Sequence, residues 1–79
     1  MSEEPARELR TEVIGQIRAG REAGRFVELV DDRENTGGWL IFTYGRHDRS
    51  GEVFDTWAAS IVDVDLYFDD CGWVVEWPD

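Results

Sequence analysis

The sequence predicts a small α+β fold: an N-terminal helix packed on an antiparallel sheet of about four strands, with a short second helix before the last strand. Three observations predict it. Apolar residues recur at helical spacing near the N-terminus, two-residue alternation governs the middle and the end, and Gly, Asn and Asp clusters separate the periodic segments. A chain of 79 residues is expected to form one domain, 1–79, and to bury only roughly 60–65% of the surface its unfolded form exposes. Four Trp, four Phe and two Tyr supply that core, because each aromatic side chain buries about 150–250 Å². A hydrophobic share of 42% argues for a folded chain despite the excess of acid.

Residues 3–23 read as an amphipathic helix. Leu9, Val13 and Ile17 fall at four-residue spacing with Ile14 beside them, and Arg7, Arg10, Arg18 and Arg21 lie outside that stripe. Ser2 suits the N-cap, Glu3 and Glu4 the positive end of the helix dipole, Pro5 the first turn, and Gly24 the far end. Gly15 and Gly20 oppose the helix at about 1 kcal/mol each, unless close packing requires them. A first strand follows over 26–30, broken by Glu28, and then a loop of turn residues. In 39–44, Trp39, Ile41 and Thr43 point one way while Leu40, Phe42 and Tyr44 point the other. A strand that is bulky on both sides belongs in the middle of a sheet or under a partner. The polar loop 45–51 joins it to a third strand over 53–58, giving a hairpin.

Residues 60–71 fit two patterns. As a strand, Val62, Val64, Leu66 and Phe68 alternate with Asp63, Asp65 and Tyr67; as a helix, Ile61, Val64, Phe68 and Cys71 share a face. Ser60 and Asp63 are then placed like a capping box. Periodicity alone prefers the strand; the helix is adopted because Asp suits a strand as poorly as a helix interior, Gly72 stands where a C-cap would, and the resemblance given below favours it. Residues 73–77 close the chain as a strand, with Trp73, Val75 and Trp77 on one side and Pro78 at its end.

Charge is lopsided. The first forty-nine residues contribute −2 and the last thirty, which hold no Lys or Arg, contribute −8 of the net −10. Such a field repels nucleic acid and anionic membrane and speeds encounter with a basic protein. The expected partner is therefore a basic protein, met by Glu52, Asp55, Asp63, Asp65, Asp69 and Asp70 as one surface, with Trp57 as an exposed aromatic anchor beside Asp55. Trp39, Trp73 and Trp77 are assigned to the core. The alternative for Trp57 is that it and Val53 face the helix while Asp55 marks the edge.

Catalysis finds little support in the sequence. His47 lies in a polar loop without a second histidine, Ser50 has no nucleophile-elbow context, and Cys71 follows two aspartates that raise a thiol pKa. The aspartates of 63–70 do not match a calcium loop, no His and Cys set offers zinc, and no glycine cluster matches a phosphate loop. No enzyme activity, cofactor or metal is expected. The acidic N-terminus lacks the basic region of a signal peptide, no apolar run approaches the ~20 residues of a membrane span, and Cys71 is the one cysteine; a cytoplasmic location is expected.

The segment Thr36-Gly-Gly-Trp-Leu-Ile-Phe, then Asp55-Thr-Trp57, then Leu66-Tyr-Phe with Gly72-Trp73-Val-Val-Glu-Trp77, resembles small bacterial immunity proteins of polymorphic toxin systems. The likeness covers residues 36 to 77. It implies a strand pair, a short helix and a final apolar strand with a tryptophan, and a protein that binds a toxin domain and blocks its active site. No functional residue carries over, because those families share no motif. The chain departs from them in being shorter than many and in its arginine-rich first segment. The expectation is an immunity protein occluding a basic, nuclease-type toxin; the alternative is a phage-encoded nucleic-acid mimic that inhibits a DNA-binding machine.

Overall fold

The structure, a computed structural model, describes residues 8–78. Its elements are β1 (Ile14–Ala19), β2 (Phe26–Asp32), β3 (Gly38–Tyr44), β4 (Val53–Ala58), α1 (Ile61–Cys71) and β5 (Val74–Glu76). The strands form a single antiparallel sheet in the order β4-β3-β2-β1-β5. β1 to β4 run as a meander, and α1 carries the chain from the β4 edge to the opposite edge, where β5 pairs with β1.

The N-terminal helix is corrected by this topology. Among the described residues the only α-helix is α1, and the stretch expected to be the second half of the first helix is β1, so the sheet has five strands rather than about four. Residues 3–7, with Ser2 and Pro5, lie outside the described residues. Three features tip the segment to strand. Thr11, Val13, Ile14 and Ile17 are β-branched. Gly20 and Gly24 flank a tight hairpin turn, in which the Gly24 N–H donates to the Ile17 carbonyl at 2.7 Å. Gly15 serves a close approach: a Cβ there would lie 2.7 Å from both the Trp77 ring and Val75, so the residue that weakens a helix is what lets β5 and its tryptophan close on β1.

α1 forms where its end signals predict. The Ser60 hydroxyl accepts from the Asp63 N–H at 3.1 Å, and Gly72 adopts the left-handed conformation at the C-cap. The Trp73 N–H donates to the Phe68 carbonyl at 3.0 Å, completing the terminal turn. The helix lays Val64, Phe68 and Cys71 on the sheet face that carries Ile17, Val27, Leu29, Ile41 and Ala58, with Trp73 closing the end. The Phe68 and Trp73 rings meet edge to face, 5.0 Å between centroids.

Cys71 belongs to this core, and burial pushes its thiol pKa up. It is therefore expected to react with a chromogenic disulfide reagent only as fast as the protein unfolds. Rapid stoichiometric labelling of the native protein at neutral pH would contradict its placement.

Candidate protein-interaction face

Strand alternation sends a second set of side chains to the sheet face opposite α1. Register places Val53 beside Tyr44, Asp55 beside Phe42, and Trp57 beside Leu40, while Phe42 and Leu40 neighbour Glu28 and Val30. This face is apolar. No described helix or strand packs over it; the β3–β4 loop closes over Glu28 and Phe26, while Trp57 and Val53 stand 50% and 47% exposed.

Trp57 is held although it is exposed. Its indole N–H donates to the Thr36 hydroxyl at 2.9 Å, and that hydroxyl in turn donates to the Asp32 carbonyl at 3.3 Å. The indole occupies the space left by Gly38, where a Cβ would lie 2.6 Å from two of its ring carbons. Thr36, Gly38 and Trp57 thus form one unit, and an aromatic fixed before binding loses less entropy on binding. Phe42 and Tyr44 stack nearby, 6.2 Å apart.

Beneath the apolar residues lies a charge. Glu28 is buried, accepts from the Tyr44 hydroxyl at 3.0 Å, and takes a two-pronged bond from Arg49, 2.9 Å at each oxygen. The Arg49 bonds hold the carboxyl below its ordinary pKa against the upward pull of burial, with Tyr44 adding to the effect. Arg49 comes from the β3–β4 loop with a positive φ of 68°, so the loop is clasped to this face. His47 of the same loop is exposed and packs edge-on against Phe26 at 5.4 Å.

The acidic residues expected to form one surface lie in separate places. Asp55 and Trp57 are on the open face, which excludes the arrangement in which Trp57 covers the helix. Glu52 sits in the hairpin, its carbonyl accepting from Arg25 at 2.6 Å. Asp63, Asp65, Asp69 and Asp70 lie on α1, across the sheet. With Val64 and Phe68 inward, Asp63 and Asp70 fall on one flank and Asp65 and Asp69 on the other. Asp69 and Asp70 also sit in the last helical turn, where no basic residue offsets the negative end of the dipole.

Leu40, Phe42 and Val53 join the candidate site, as do the supports Thr36 and Gly38 and the Glu28–Arg49 pair. The two-sided bulk of 39–44 was the signal for the first of these. Nothing in the sequence pairs Glu28 with Arg49. Of the other tryptophans, Trp73 is buried and Trp39 and Trp77 are half-buried.

Among the described residues no group of three His, Cys, Asp or Glu side chains is placed to hold a metal ion, and no helix is long and apolar enough to cross a membrane. A cleft of about 550 Å³ beside the β2–β3 turn gathers Glu12, Asp31, Asp32 and Glu34. Asp31 there is committed to Arg33, which holds its carboxyl below the usual range. No family model, no curated protein and no solved structure matches the chain.

Proposed function

We propose that this domain binds a cationic protein and acts by occlusion, in the manner of an immunity protein that neutralises a nuclease-type toxin. The observation that carries the reading is Trp57, half-exposed yet fixed by Thr36 and Gly38, with Asp55 two residues away on the same face, over which no described helix or strand packs. Preorganised aromatics are typical binding hot spots, and a carboxylate beside one selects Arg or Lys. The net charge of −10 adds long-range steering toward a basic partner. Binding without chemistry, in the cytoplasm, completes the proposal. A nucleic-acid mimic calls for carboxylates in a regular row, as phosphates are spaced along a strand; acids divided between two faces of the sheet do not favour it.

Mixing the protein with purified basic nuclease-type toxin domains, a product of a neighbouring gene among them where one is encoded there, tests the reading. A complex is expected at low salt, weakening as salt rises, and Trp57→Ala should weaken it about tenfold or more while the variant stays folded. Absence of a complex at low salt, or full affinity in Trp57→Ala, would overturn it.

A further inference from the structure

The two edges of the sheet are built differently. β5 has three residues, a register shift against β1 between Ile17 and Ala19, and Pro78 close behind it. Arg18 pairs with Glu76 on that edge, and Arg10 donates to the Pro78 carbonyl. Short length, a bulge, proline and charge are the usual devices that keep an edge from pairing with another chain. β4 has no bulge and no proline, and it carries a single charge, Asp55. It runs six residues in unbroken register with β3, contains no Pro, Lys or Arg, and exposes Val53, Phe54 and Trp57 to about half of their surface.

Such an edge is a pairing template, and its one charge selects the occupant. Pairing with a second copy would join two chains of −10 each and set the two Asp55 carboxylates opposite or diagonal to each other in the registers that pair most of the strand; like charges so placed destabilise a sheet. Arg25, whose guanidinium lies over the Phe54 ring of β4, is already engaged with Glu22 and the Glu52 carbonyl. We propose that β4 accepts an extended segment of a cationic protein as a sixth strand, with Arg or Lys opposite Asp55 and bulky apolar side chains opposite Val53 and Trp57. Main-chain bonds provide affinity and the alternating side chains provide selectivity. The inference rests on the reading of a basic protein partner and specifies how that partner is held.

The test uses the full chain and three eight-residue peptides: one with threonine at every second position and valine, arginine, valine, valine at the positions between, so that arginine can lie opposite Asp55 with valine opposite Val53 and Trp57; the same with glutamate in place of arginine; and the first peptide with every second backbone amide methylated. Hydrogen exchange of the β4 amides is followed by NMR at low salt. The valine–arginine peptide is expected to slow exchange along β4, the other two are not, and Asp55→Lys should weaken the binding roughly fivefold. Equal binding of the methylated peptide would overturn strand addition while leaving a basic partner in place. Protection of β4 without peptide, in a protein that sediments as a dimer, would overturn it in favour of a second copy. Failure of the valine–arginine peptide alongside a sound toxin complex would end the inference alone; failure of both would end the inference and the proposed function together.

Discussion

Phe68→Ala is expected to leave the protein largely unfolded at 37 °C. Phe68 is 1% exposed, lies on the inward face of α1, and meets Trp73 edge to face. Truncating such a residue costs about 3–5 kcal/mol through lost transfer energy and the cavity left behind. A domain of 79 residues has a total stability on the order of 4–12 kcal/mol. The helix also has no substitute, since among the described residues it is the one element that covers the core face of the sheet. Leu66→Ala on the same helix is the matched control: Leu66 is 58% exposed, and its loss should shift stability by no more than about 0.5 kcal/mol. Urea unfolding followed by tryptophan fluorescence measures both. Similar midpoints for the two variants would mean that α1 does not pack as described.

The elements whose ends carry chemical punctuation were legible in the sequence. Ser60 and Gly72 delimit α1, the polar loop 45–51 separates β3 from β4, and alternation in 39–44 anticipated side chains on two faces. The first segment was not legible, because Leu9, Val13 and Ile17 satisfy helical spacing while Ile17 and Gly15 also satisfy a strand's. Tertiary contact decided between them: Gly15 is required where β5 crosses, which no local pattern reports. The acidic surface failed for a related reason. A count of charges along the chain treats 52–70 as one place, yet β4 and α1 are packed on different layers, and Asp55 faces away from the helix that carries Asp63 to Asp70. What remained legible was Trp57 as an exposed aromatic beside Asp55, because the two share a strand and two-residue spacing fixes their common face.

The arginines follow the same logic. Arg18, Arg25, Arg33 and Arg49 are each paired with a carboxylate of the sheet or its loops. Those pairs engage four of the eight arginines of the first forty-nine residues. Asp55, Asp63 and Asp70 form no ion pair among the described residues, so the excess negative charge appears on both layers rather than on one.

Replacing Arg49 should reverse the pH response of stability. In the native protein the Glu28 carboxyl lies below its ordinary value of 4.5, chiefly because of the Arg49 bonds. Its stabilising contribution is therefore complete above the ordinary glutamate range and is lost as pH falls through the lowered value. In Arg49→Met the carboxyl keeps only the Tyr44 hydroxyl in a site 7% exposed, and burial then pushes its pKa up. Stranding a buried carboxylate costs on the order of 1–3 kcal/mol, a penalty greatest at neutral pH and relieved as protonation neutralises the group. The urea midpoints of native protein and Arg49→Met should accordingly lie well apart at pH 7 and draw together toward pH 4. Methionine accepts the positive φ of residue 49 no more readily than arginine does, so backbone strain is held constant. Arg33→Met removes an equally two-pronged bond, from Asp31, but that pair is exposed and its loss should be small and insensitive to pH above 5. A gap for Arg49→Met that stayed constant from pH 7 to pH 4 would show that Glu28 is solvated, and the clasp that holds the β3–β4 loop over the open face would then have no electrostatic basis.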